Sequence, residues 1–133
     1  MTRILKGRSA SGEVRTSRTH PIVVDFIDQQ PWKGRLGLTH APGKRNESYR
    51  HFRWHRDLHT DLLRLRDHYG VDVLVTVLEP EEMEWMGISD LREVVLQMGM
   101  ESLGFALADL DAPAEDDIPE FTALLHAMRA RLD

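Results

Sequence analysis

Gly70 divides two stretches that obey different periods, and that junction constrains the fold more than any other feature of the sequence. Before it, Leu58, Leu62, Leu65 and Tyr69 recur at helical spacing, which predicts a helix over 55–69 with Gly70 as its stop. After it, Val71, Val73, Leu74, Val75, Val77 and Leu78 form a nearly continuous β-branched run. Such a run predicts a strand buried on both faces, as in parallel sheets. A helix followed at once by a buried strand points to an α/β architecture.

The remaining segments fit that frame. Residues 1–20 are polar and aperiodic, and they predict a flexible N-terminal tail ahead of one domain over 21–133. Residues 21–27 read as a first strand and 35–39 as a second, with a turn at Trp32, Lys33 and Gly34 between them. The second strand ends at Ala41-Pro42-Gly43. Beyond the buried strand, Glu79-Pro80-Glu81-Glu82 reads as a helix start, with proline in the first turn and carboxylates toward the positive end of the helix dipole. That helix is interrupted near Gly87. Ser89 is placed to cap another, whose Leu91, Val94, Val95 and Met98 form one stripe before Gly99. Leu103, Phe105 and Leu107 alternate as a strand, and a loop over 109–116 follows. Asp117 and Glu120 have capping-box spacing for a last helix, with Ile118, Phe121, Leu125, Met128 and Leu132 on one face. The order β-β-α-β-α-β-α predicts a mainly parallel sheet flanked by helices.

Composition excludes several function classes. A chain of 133 residues is a single domain. It has no cysteine, hence no disulfide framework and no thiolate metal site, which suits a cytoplasmic protein. No apolar run approaches the ~20 residues of a membrane span, so no membrane partner is expected. Residues 1–12 lack the apolar core of a signal peptide. The net charge of −5 is unevenly spread. Lys44, Arg45, Arg50, Arg53 and Arg56 make one basic segment, a candidate surface for a phosphate or an acidic partner. General nucleic-acid binding is not expected from an acidic chain.

Tyr49, Phe52 and Trp54 interleave with these arginines, an alternation that single-strand nucleic-acid binders also show. The simpler expectation is solvated arginines with aromatics tucked onto the helix. His51, His55 and His59 are four apart and would share one side of a helix, but no carboxylate cluster accompanies them, so solvated histidines and no metal are expected. No glycine-rich phosphate loop, Ser-His-Asp set or nucleotide fingerprint is present, and no cofactor is assigned.

Four segments in order resemble the dual-specificity branch of the cysteine-based protein phosphatases, in particular the group of the cyclin-dependent-kinase-associated phosphatase. Residues 34–44 resemble its "GRLGLTxxPG" segment, and residues 54–62 are similar to its "RDLxxDL" helix. Residues 73–83 resemble its "vvtLLexxEm" strand and acidic helix, and the spacing from Met86-Gly87-Ile88 to Gly99-Met100 also fits. The resemblance spans residues 20–132. It stops short of the family's signature loop, a His-Cys followed five residues later by Arg.

The resemblance implies thiolate attack on phosphorus, an arginine gripping the phosphoryl oxygens, and an aspartic acid that protonates the leaving group. Of these, only the acid has a counterpart: Asp109 by its position after Leu107-Ala108, with Asp111 as the weaker alternative. In the family the strand entering the Cys loop lies between the second and third strands. Its absence leaves 36–39 and 73–77 facing an empty slot. Three expectations follow: the chain is a piece of a longer protein, a partner or second copy inserts a strand, or the two strands close up. The function implied is a protein tyrosine/serine/threonine phosphatase-like domain, inactive alone. The alternative is a non-catalytic binding module for a phosphorylated or acidic protein through residues 44–56.

Overall fold

A computed structural model describes residues 13–28, 31–47, 52–107 and 115–133. The strands are β1 (Glu13–Arg15), β2 (Asp25–Phe26), β3 (Gly37–Leu38), β4 (Arg45–Glu47), β5 (Phe52–His55), β6 (Val73–Thr76) and β7 (Glu101–Gly104). The α-helices are α1 (Leu58–Leu63), α2 (Pro80–Trp85), α3 (Leu91–Gln97) and α4 (Ile118–Leu132). A wider π turn, Arg64–His68, extends α1, and a 3-10 turn, Glu115–Asp117, precedes α4.

The core forms where the two periods meet. Leu62 and Leu65 of the helical stripe are buried, as are Leu91, Val94 and Val95 of α3, with Leu74, Ile88 and Met100 between them. Leu58, Tyr69 and Met98 pack against this cluster while partly exposed. Gly70 closes the π turn at φ 70°, a left-handed conformation that glycine adopts without strain. The Val71 N–H then donates to the Leu65 carbonyl at 2.9 Å.

The expected mainly parallel sheet takes a different form: three small sheets with mixed pairing. β6 and β7 pair in parallel, with Val73 opposite Glu101. β2 and β3 pair antiparallel. In the third sheet β5 lies between parallel β1 and antiparallel β4. β7 begins at Glu101, two residues before the expected Leu103. Only Leu74 of β6 is buried; its neighbours Val73, Val75 and Thr76 are half-buried.

Residues 13–20, the last eight of the expected tail, are built into the domain; residues 1–12 lie outside the described part. β1 supplies the edge of the third sheet, and Ser17 exchanges two hydrogen bonds with Asp57: the Asp57 N–H donates to Ser17 Oγ at 2.8 Å, and Ser17 Oγ–H donates to the Asp57 carbonyl at 3.3 Å. α1 starts at Leu58 rather than 55, because Asp57 is its N-cap, accepting from the Thr60 N–H at 2.9 Å and the Thr60 hydroxyl at 2.7 Å. Asp90, not Ser89, occupies the N-cap of α3. The expected capping box at Asp117 does not form. On α4 the buried residue is Leu124, whereas Ile118 and Leu125 are exposed, so the inward face is rotated from the expected one. Phe121 of that face meets Phe105 edge-on, with ring centroids 5.2 Å apart.

Candidate functional site

The basic segment folds as a β4–β5 hairpin, and strand alternation sorts its side chains onto two faces. Phe52, Trp54 and Arg56 point one way; Arg53 and His55 point the other, with Arg45 opposite His55 in the register. His55, expected to begin the helix, is instead the last residue of β5.

Trp54 organises the inner face. It meets Phe52 and His20 edge-on at 5.1 and 6.4 Å and His40 at a tilt at 5.7 Å. The Arg56 guanidinium, the Lys44 ammonium and the Arg15 guanidinium lie 5.5, 5.9 and 6.0 Å from its centroid. Partial burial, with Lys44 and Arg56 close by, holds the His40 imidazole below its ordinary pKa, and Asp25 acts weakly the other way. Burial also holds Lys44 below its ordinary value.

Arg56, a candidate phosphate ligand from the sequence, is instead part of the architecture. It is 3% exposed and grips Asp61, 1% exposed, through Nε at 2.8 Å and Nη2 at 3.1 Å. Nη2 also donates to the His20 carbonyl at 2.7 Å, and the Gly43 N–H donates to Asp61 Oδ2 at 2.8 Å. Gly43 sits at φ 74°, and a Cβ there would lie 2.8 Å from Leu58 Cβ, so glycine is required on both counts. The "RDLxxDL" segment is thus closed on itself by a buried ion pair, and the Gly43 N–H joins the "PG" segment to it through Asp61.

The outer face is open. Arg45, Asn46, Arg53, Trp54 and His55 line a shallow cleft of about 340 Å³. Arg45 is tethered, its Nε donating to the Arg56 carbonyl at 3.1 Å and its N–H to the Met86 carbonyl at 2.8 Å. Arg53 and His55 are exposed and have no ion-pair partner among the described residues. Of the five basic candidates, Arg45 and Arg53 face this cleft, Lys44 and Arg56 face inward, and Arg50 lies outside the described residues. His55 is a strand residue and His59 a helix residue, so the expected common helix side does not exist; His51 lies outside the described residues. Among the described residues no three His, Asp or Glu side chains are grouped to hold a metal ion. His55 was missed as a site residue because its segment reads as a helix start, although Phe52-Arg53-Trp54-His55 alternates with period two.

Asp109 and Asp111, the candidate general acids, lie outside the described residues. They follow β7, whose pairing with β6 continues as Leu107 N–H donates to the Val77 carbonyl at 3.3 Å. Among the described residues, β6 pairs only with β7 and β3 only with β2, so one edge of each lacks a strand neighbour. Leu38 and Val77, at the ends of these edges, are exposed. The last turn of α4 returns to the turn before β3, where the Gly34 N–H donates to the Leu132 carbonyl at 2.6 Å.

This arrangement matches a solved structure. The crystal structure of kinase associated phosphatase, with its catalytic-site cysteine substituted by serine, superposes with a TM-score of 0.66 at 18% identity, covering 84% of this chain and 60% of that one. The fold is phosphatase-like. The chain therefore spans about 60% of the length of that enzyme. No protein-family model matches the sequence, and no curated protein matches it. No described helix is long and apolar enough to cross a membrane.

Proposed function

We propose that these residues form the nucleophile-free part of a dual-specificity-phosphatase-like domain, whose chemistry requires a cysteine loop from a further segment. The observation that supports this is the pair of open edges on β3 and β6, within a fold that follows kinase associated phosphatase over 84% of the chain. A strand added at these edges would pair their unpartnered N–H and C=O groups, as in strand addition to an open sheet edge. A second copy would complete the sheet by strand insertion without supplying a cysteine, so the source of a Cys loop is a further segment of the same protein. With that strand and its Cys loop in place, Asp109, or failing it Asp111, serves as the acid for hydrolysis of phosphotyrosine, phosphoserine or phosphothreonine esters.

The 133 residues contain no thiol, so on their own they cannot form a cysteinyl phosphoenzyme. The purified chain is expected to release no phenolate from an aryl phosphate. Steady turnover would overturn the reading, and turnover lost to a chelator would redirect attention to the histidines. A second reading, a non-catalytic module for a phosphorylated or acidic partner, is favoured by one feature: the open cationic cleft on the hairpin.

A further inference from the structure

We propose that the outer face of the β4–β5 hairpin binds a phosphomonoester presented on a peptide, with Arg53 as the principal anchor and Arg45 and His55 beside it. This rests on the binding-module reading and is independent of phosphatase chemistry. Three observations support it.

The first is convergence. Two guanidinium groups and an imidazole border one cleft of about 340 Å³, at the lower end of the size range of small-ligand sites. All three residues stand on paired strands rather than on loops, so their spacing is set by the ladder Arg45↔His55 and Glu47↔Arg53. The second is availability. Arg45 is held in place by its bond to the Arg56 carbonyl, which leaves its other guanidinium nitrogens for a ligand, and Arg53 makes no ion pair among the described residues. Guanidinium groups match phosphate oxygens bidentately, a geometry that lysine cannot reproduce. The third is selectivity against bulk anions. The chain carries a net charge of −5, so a polyanion is attracted here only locally.

A phosphate, with a charge of about −1.5 to −2 and three strong acceptor oxygens, engages paired guanidinium groups more strongly than a carboxylate does. Asn46 lies opposite Trp54 in the register, on the inner face, so it takes no part in the contact. Presentation on a peptide follows from the binding-module reading, and inorganic phosphate is the control for it.

The test uses the 133-residue chain and a short fluorescein-labelled phosphoserine peptide with neutral flanks, read by fluorescence anisotropy. The phosphopeptide should bind, with affinity falling as salt rises. The unphosphorylated peptide should not bind. Arg53→Glu should weaken binding by about tenfold or more, His55→Ala should weaken it less, and Lys33→Glu, which is not among the cleft residues, should leave it unchanged. The urea midpoint of Arg53→Glu should match that of the parent, which separates a lost contact from a lost fold. Equal binding by a glutamate-substituted peptide overturns the phosphate assignment. Equal affinity for inorganic phosphate overturns the peptide assignment. Full affinity retained in Arg53→Glu overturns the site while leaving the module reading in place, and binding of none of the peptides overturns both.

Discussion

Arg53 and Arg56 belong to one basic segment, and the fold gives them opposite roles. Arg56 is 3% exposed, with its guanidinium shared between Asp61 and the His20 carbonyl. Arg53 stands on the other face of the hairpin, exposed beside the cleft. The difference comes from strand alternation and from what each face meets. The inner face packs against Trp54, the Gly43 turn and α1; the outer face meets solvent. Removing a guanidinium and a carboxylate from water is tolerated only where nearly every donor and acceptor finds a partner, as at Arg56 and Asp61. A charge run is therefore not one functional unit: part of it can be architecture and part recognition.

The largest effect should come from breaking the buried pair. Asp61→Ala leaves the Arg56 guanidinium buried and also removes the acceptor of the Gly43 N–H, so a loss of about 3–5 kcal/mol is expected. Arg53→Ala, which removes an exposed side chain, should stay within about 0.5 kcal/mol of the parent. Urea denaturation of both variants measures the contrast. Similar losses for the two would erase the distinction between the faces.

Much of the fold was legible because it rests on local periodicity. The stripe of Leu62 and Leu65, the break at Gly70, the strand after it and the stripe of Leu91, Val94 and Val95 all follow from spacing alone. The hairpin was not legible as such. Its strands are three and four residues long, and His55 and Arg56 were absorbed into the helix that follows. The true boundary depends on Asp57 as an N-cap and on Ser17, forty residues away, which no local pattern reveals. The mixed sheet pairing was also hidden, because the short polar β1 pairs through its backbone and its sequence has no strand signature. At the site, charge and aromatic content were visible, but which arginines turn outward was set by the register. The Phe52–His55 alternation contained that answer and was too brief to outweigh the helical reading.

A middle-sized effect is expected at the helix cap that follows the hairpin. Asp57 caps α1, and hydrogen bonds from the Thr60 hydroxyl and N–H, partly offset by burial, hold its carboxyl below the usual range. A depressed carboxylate pKa contributes stability that is present in full above the unfolded value of about 3.9 and is lost as pH falls through the folded value. Asp57→Ala should cost about 1 kcal/mol at pH 7 and progressively less below pH 4, whereas Arg53→Ala should show no such trend. Thermal or urea unfolding across pH 2.5–7 reads both. A pH-independent loss in Asp57→Ala would mean that the cap acts through packing rather than through the carboxylate.

The smallest effect separates the faces by protonation. His40, beside Lys44, Arg56 and Trp54, is held below the ordinary histidine pKa by partial burial and by the two cations. The unfolded chain therefore binds a proton more readily than the folded one, so stability should fall as pH drops through about 6.5 and level off below the folded value. Because His40 is still partly solvated, the difference between pH 7.5 and pH 5.5 should stay below about 1 kcal/mol. His40→Gln should remove that pH-dependent loss while leaving phosphopeptide affinity unchanged, since Gln cannot titrate and the outer face does not contact it. A His40→Gln variant that lost peptide affinity would show the two faces to be coupled through Trp54, the residue whose ring packs inward and whose strand position lines the cleft.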